Sequence, residues 1–229
     1  MTGTNKSPAR TAQAVVFDLD GLMFNTEELY FDVGTELLRR RGKELTHDLL
    51  NQMMGRPSPI ALQIMIDWHQ LDATVGQLQQ ETDEIFAQIL SARLAPMPGL
   101  IPLLTALEAQ QIPKAIATSS RRSFVDRVLG HFGWAERFSF VLTAEDVTVG
   151  KPHPEIYQKA AARLGLLPSE TLVLEDSQNG CRAAVAAGAI AVAVPGDHSR
   201  HHDFTGASWI AASLADPWIY RAVGLAGEV

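Results

Sequence analysis

The sequence predicts an α/β protein, a doubly wound parallel sheet with an all-helical domain inserted after its first strand. Three observations carry that expectation. From residue 96 onward, short runs of β-branched and apolar residues alternate with helical patterns, the rhythm of a parallel sheet covered by helices. The run Ala14-Val15-Val16-Phe17 is apolar throughout, as in a strand buried on both faces, and breaks into Asp18-Leu19-Asp20-Gly21. Between residues 46 and 95 only helical periodicity is found.

Taken in order, residues 1–12 are expected to form a flexible tail, 13–25 and 96–229 the α/β core domain, and 26–95 the helical insertion. The first strand is expected over residues 13–19. Asn25 or Thr26 then suits a helix N-cap, and Asn25 with Glu28 has capping-box spacing. Leu29, Val33, Leu37 and Leu38 fall on one helical face, and Arg39 to Arg41 before Gly42 read as a charged last turn rather than a phosphate patch. Ile60, Leu62, Ile64, Met65 and Trp68 suggest one further helix, and Leu78, Ile85, Ile89 and Leu94 suggest others. Met65 and Trp68 are expected in the core. Between these helices the stretch Gly55-Arg56-Pro57-Ser58-Pro59 reads as a loop whose one charge is Arg56.

Pro96-Met97-Pro98-Gly99 marks the return to the core domain. A helix over residues 100–110 precedes a strand over 113–117, which ends in Thr118-Ser119-Ser120. A helix over 124–132 and a strand over 138–142 follow. After Gly150-Lys151-Pro152-His153-Pro154 comes a helix over 155–164, closed by Gly165. A strand over 171–174 ends in Glu175-Asp176, and an Ala-rich helix runs to Gly188. Strands over 190–194 and 208–210 complete the pattern.

Composition limits the function classes. At 229 residues the chain can bury a core and a smaller domain, and 46% hydrophobic with 20% charged residues is ordinary for a soluble protein. A net charge of −7 argues against a general nucleic-acid binder, so an anionic substrate needs locally arranged cations. The single cysteine, Cys181, allows no intrachain disulfide and fits a reducing compartment. Met1 to Gln13 lacks the apolar core of a signal peptide, and Ala183 to Val194 is too short to span a bilayer. A cytoplasmic protein without membrane partners is expected. No heptad or long apolar edge demands assembly, which fits a monomer.

Three strands end in polar clusters: Asp18/Asp20, Thr118/Ser119 and Glu175/Asp176. In a parallel sheet such ends share one edge and converge on one crevice. Four carboxylates there raise one another's pKa unless a cation sits among them, and oxygen-only donors favour Mg²⁺ over Zn²⁺. Thr118 and backbone N–H groups at a helix start suit a phosphate oxygen, and Lys151 offers a fixed positive charge. His198, His201 and His202 read as a solvated loop rather than a metal site. His153 suits a structural role in the loop after Lys151, and Cys181 that of a small buried residue.

In order and spacing, Asp18-Leu19-Asp20-Gly21, Thr118-Ser119, Lys151 and Glu175-Asp176 resemble the four motifs of the haloacid dehalogenase-like superfamily. The resemblance covers nearly the whole chain and is greatest to its β-phosphoglucomutase-like branch. It implies a Rossmann-like core with a helical cap and phosphoryl transfer through an aspartyl-phosphate. Asp18 would be the nucleophile, and Asp20 would protonate the leaving oxygen and then activate water. Mg²⁺ would be held by Asp18, the Asp20 carbonyl and Asp176, with Glu175 binding it directly or through water. Lys151 would neutralise charge, while Thr118 and the Ser119 amide would hold phosphate oxygens. Arg56 would either close onto the substrate from the cap or be an ordinary surface arginine.

Dehalogenases of the superfamily lack an acid at the position of Asp20, and its transport ATPases carry threonine there. Asp20 therefore implies a phosphatase or a phosphomutase. Where β-phosphoglucomutases carry a histidine on the first cap helix, this chain has Tyr30, which weighs against a mutase. The stretch from Met54 to Asp67, with Ala117 to Ser120 and Val194 to Arg200, resembles pseudouridine-5′-phosphatase-like proteins. The expected activity is hydrolysis of a small phosphorylated metabolite, with a β-phosphoglucomutase-type reaction as the rival and a catalytically silent binding protein behind both.

Overall fold

The computed structural model describes residues 11–53 and 58–225. Among them, one parallel sheet is built from β1 (Ala14–Phe17), β2 (Lys114–Ala117), β3 (Val141–Leu142), β4 (Thr171–Glu175), β5 (Ile190–Ala193) and β6 (Trp209–Ile210). The spatial order is β3-β2-β1-β4-β5-β6, and each neighbouring pair is parallel. The chain steps outward from β1 through β2 to β3, then crosses back to β4 on the other flank of β1. That reversal makes the C-terminal end of β1 a topological switch point, where open α/β sheets form ligand crevices.

β1 is apolar on both sides because both of its sides are covered. Its four residues are fully buried, with Val15 opposite Lys114 on one flank and Leu172 on the other. Pairing extends one residue further, where the Asp18 N–H donates to Leu174 O at 3.0 Å. The strand is shorter than the expected 13–19 because Leu19 already belongs to a turn, its carbonyl accepting from Met23 and Phe24. β3 is likewise shorter than the expected 138–142, although Ser139 N–H still donates to Lys114 O at 2.8 Å.

The chain divides into two compact units, residues 26–94 and the remainder. In the sheet unit, α5 (Leu100–Ala109), α6 (Arg122–Phe132), α7 (Glu155–Leu164) and α8 (Gln178–Ala187) link successive strands. The Ala-rich sequence of α8 lets it approach closely, with Ala183 and Ala184 packed into one cluster with Val16, Val173 and Tyr157. A short α9 (Pro217–Ala222) was not expected from periodicity. Asp216 caps it by accepting from Trp218 N–H at 2.8 Å, and Trp218 stacks on Trp209 at 5.8 Å. The expected tail reaches residue 12, but residues 1–10 lie outside the described ones. Ala12 is buried and donates to Ala222 O at 2.7 Å, which makes it part of the packed core.

Residues 26–94 form α1 (Thr26–Arg39), α2 (His47–Met53), α3 (Ser58–His69) and α4 (Val75–Arg93). Leu29, Val33, Leu37 and Leu38 are all buried, as their spacing predicts. The expectation for α3 is corrected: Met65 is buried, but Trp68 is 43% exposed. Ile60, Ile64 and Trp68 follow one i, i+4 ridge while Leu62 and Met65 lie on another, and the helix buries only the second. The arginines ending α1 form a charged turn, with Arg39 and Arg40 on Glu36 and Arg41 on Glu81. Asn25 joins the two chain crossings of the sheet unit. Its N–H donates to Ala95 O at 3.1 Å, and its Oδ1 accepts from Ala95 N–H at 2.8 Å.

Candidate active site

The loops leaving β1, β2 and β4 bring the expected side chains to one end of the sheet. Asp18 follows β1 directly, and Gly21, at φ 72°, permits the turn that follows Asp20, the Gly21 N–H donating to Phe24 O at 3.0 Å. Thr118 follows β2, its N–H donating to Leu142 O at 3.0 Å. Glu175 ends β4, with Asp176 next. Asp18, Thr118, Glu175 and Asp176 are all buried polar residues, so their hydrogen bonds decide what the site can do.

Lys151 is the hub. Its Nζ donates to Asp18 Oδ1 at 2.5 Å, Glu175 Oε1 at 2.6 Å and the Ala117 carbonyl at 2.9 Å. Those three bonds use all the donors of an ammonium group. Glu175 is held in turn, because Tyr157 Oη donates to its Oε1 at 2.5 Å and Ser177 reaches Oε2 through N–H at 3.3 Å and Oγ at 3.0 Å. A carboxylate has about four acceptor positions. Lys151, Tyr157 and the two Ser177 groups therefore saturate Glu175.

Asp20 is held separately. Its Oδ2 accepts from Ser120 Oγ at 2.6 Å and from Thr118 Oγ1 at 3.3 Å. Thr118 Oγ1 also accepts from the Ser120 N–H at 3.0 Å, which fixes the start of the loop before α6. Beside this lies a cavity of about 190 Å³ lined by Thr118, Ser119, Ala144, Thr148, Gly150 and Lys151, among others. It is large enough for a phosphoryl group or several waters. Thus the structure brings together seven of the eight expected site residues: Asp18, Asp20, Thr118, Ser119, Lys151, Glu175 and Asp176. Arg56, the eighth, lies outside the described residues.

The electrostatics follow from burial. Burial pushes Asp18 up to about 8; Lys151 opposes the shift, and Glu175 and Asp20 add to it. For Lys151, burial pulls the ammonium down, but Asp18 and Glu175 outweigh it and hold the group above its ordinary range. Lys151 therefore stays charged, and Asp18 needs further positive charge to ionise fully near neutrality. Asp18, Glu175 and Asp176 each offer one oxygen within 4.8 Å of the others, a buried cluster able to hold a metal ion. Its donors are all carboxylate oxygens, which fits a hard divalent cation. Because Glu175 is saturated by its own partners, Asp18 and Asp176 are the better-placed donors.

Sequence reading missed Tyr157, Ser120, Ser177 and Gly180. A Cβ on Gly180 would lie 1.8 Å from the Glu175 carboxyl, so glycine there makes room for the buried acid. A glycine inside an Ala-rich helix was the available signal for that close approach. Cys181 is buried as expected. His202 Nδ1 accepts from Gln178 N–H at 3.4 Å, and His201 packs against it. Among the described residues the loop histidines join no metal-ligating group. His153 Nδ1 accepts from Glu155 N–H at 3.4 Å, at the start of α7.

A parallel α/β core with a buried lysine–carboxylate cluster at its switch point defines a class of group-transfer enzymes, and comparison with known proteins identifies the family. The haloacid dehalogenase-like hydrolase family model matches residues 15–194, and the chain belongs to that family. It is 30% identical over 213 residues to the bifunctional riboflavin kinase/FMN phosphatase of Arabidopsis thaliana, covering 93% of this chain but only 56% of that relative's length. A Drosophila melanogaster protein named "Probable pseudouridine-5'-phosphatase" is 32% identical over 207 residues, covering 88% of this chain and 89% of its own. Among solved structures, CbbY from Rhodobacter sphaeroides in complex with phosphate superposes with a TM-score of 0.77 at 26% identity, covering 90% and 96% of the two chains.

Proposed function

We propose that this protein hydrolyses the phosphate ester of a small metabolite, a sugar phosphate or nucleotide-like molecule, through an aspartyl-phosphate on Asp18. The observation that carries the reading is the Lys151 ammonium bonded at 2.5 Å to Asp18 Oδ1. It supplies, at one buried point, a carboxylate nucleophile and the positive charge that phosphoryl transfer requires.

In this reading Asp18 attacks phosphorus and the ester bond to the leaving oxygen breaks. Asp20, two residues further along the same loop, gives that oxygen its proton. Water then attacks the phosphorus, Asp20 takes the water's proton, and Asp18 is released as phosphate departs. Lys151 balances charge on Asp18 and on the phosphoryl oxygens throughout. Thr118 and Ser119 line the adjacent cavity and offer donors to those oxygens. Mg²⁺ suits the Asp18 and Asp176 oxygens, with the Asp20 carbonyl the further donor that the family resemblance implies, and when bound would supply the charge that keeps Asp18 ionised.

We read residues 26–94 as the cap. The single buried Cys181 supports a cytoplasmic location, and no described helix is long and apolar enough to cross a membrane. The chain is taken to act as a monomer. Tyr30 occupies the position at which β-phosphoglucomutases carry histidine, and it packs on Phe86 at 5.1 Å. That favours hydrolysis over isomerisation. The test is phosphate release with Mg²⁺ across sugar phosphates, nucleotides and pseudouridine monophosphate, alongside β-glucose 1-phosphate with a trace of the bisphosphate. Phosphate release supports the reading, and glucose 6-phosphate appearing faster than phosphate would overturn it.

A further inference from the structure

Tyr157 lies outside the four motifs, yet it is in direct contact with two of them. Its hydroxyl donates at 2.5 Å to Glu175 Oε1, the oxygen that Lys151 Nζ also reaches at 2.6 Å. The Lys151 ammonium sits 5.0 Å from the centre of the Tyr157 ring, close enough for a cation–π contact. The residue is 2% exposed, so neither contact is shared with bulk water. It stands on the first turn of α7, directly after the loop that carries Lys151.

A buried tyrosine needs a hydrogen-bond partner, and any buried acceptor would meet that need. Here the acceptor is a carboxylate already bonded to the lysine that faces Asp18. Ser177 holds its other oxygen, and Gly180 leaves no side chain to press on it. Without the tyrosine hydroxyl, Glu175 Oε1 keeps Lys151 as its sole partner. The carboxylate then gains freedom to rotate about its last bond, and the lysine tip moves with it.

We propose that Tyr157 is a positioning residue for phosphoryl transfer, fixing the Glu175 carboxylate that aims Lys151 at Asp18. The inference rests on the phosphatase reading above for its kinetic consequence, but not for its effect on anion binding. Outer partners of reactive groups typically matter by about ten- to a hundredfold.

Tyr157→Phe keeps the ring and its packing and removes only the hydroxyl. With Mg²⁺ and p-nitrophenyl phosphate, its kcat is expected to fall about tenfold with KM unchanged. Its Kd for orthovanadate, a mimic of the five-coordinate phosphorus, is expected to rise by a similar factor, with an unchanged circular dichroism spectrum. In a Glu175→Gln background the same substitution is expected to add little to either effect, because the group it fixes is already altered. Wild-type kcat and vanadate affinity in Tyr157→Phe, or fully additive losses in the double variant, would overturn the proposal. Should wild-type protein release no phosphate but bind vanadate in a Tyr157-dependent way, the positioning role stands and the phosphatase reading falls.

Discussion

Replacing Gly180 by alanine tests the packing that holds the site together. In most helices that change stabilises by up to about 1 kcal/mol, because alanine is the better helix former. At Gly180 the new Cβ would lie 1.8 Å from both Cδ and Oε1 of Glu175, where contacts under 3.0 Å are essentially never found. The carboxylate must therefore retreat by more than about 1 Å, far enough to break its bonds from Lys151 and Tyr157. Hydrogen bonds to charged groups contribute about 1.5–3 kcal/mol each. Allowing for partial relaxation and for the propensity gain, a net loss of about 2 kcal/mol is expected. For a chain of this size that lowers Tm by roughly 4–8 °C. With Lys151 no longer aimed, kcat is expected to fall by at least about a hundredfold. Gly130 in α6 is the control, since its Cβ would meet nothing within 4 Å. Gly130→Ala is expected to hold or raise stability and leave turnover unchanged. Urea melts and phosphate-release rates on both variants measure this. A Gly180→Ala protein as stable and active as wild type would refute the reasoning.

Three further outcomes follow from the same geometry. Burial raises Asp18 from 3.8 to about 8, so the native state holds a proton that the unfolded chain has released. The contribution of this group to metal-free stability is therefore greatest below about pH 4 and declines toward about pH 8; Asp18→Asn should flatten that slope, and urea midpoints across the range that stay parallel in the two proteins would contradict it. Asp20→Asn should slow phosphate release by at least about a hundredfold while leaving the fold intact, and comparable turnover in a steady-state assay would remove Asp20 as acid and base. Asn25→Ala should cost about 1 kcal/mol in a urea melt through loss of the bond to Ala95, and an unchanged midpoint would argue against that tie.

What could be read from the chain was whatever local pattern dictates. β1 announces itself because both faces are buried, and Asp18, Thr118 and Glu175 could be assigned to one edge because parallel strands end together. α9 was legible only in principle, since Asp216-Pro217 is a helix-start signal but six residues are too few to set up a period. Trp68 was misplaced because an apolar residue on a short helix does not say which ridge faces inward. Tyr157 and Ser120 were invisible for a different reason. Each acts by approaching a residue distant in sequence, Tyr157 on Glu175 and Ser120 on Asp20, and no local spacing encodes those approaches. The saturation of Glu175 also depends on four donors drawn from three elements, which only the folded chain brings together.

The central claim is that Asp18 accepts the phosphoryl group. Wild-type protein can be mixed rapidly with ³²P-labelled substrate and Mg²⁺, quenched in acid before turnover is complete, and digested for peptide mapping. The account predicts acid-stable, hydroxylamine-labile label on the peptide carrying Asp18, absent from Asp18→Asn. Full turnover without label on that peptide, or label at another residue, would contradict it.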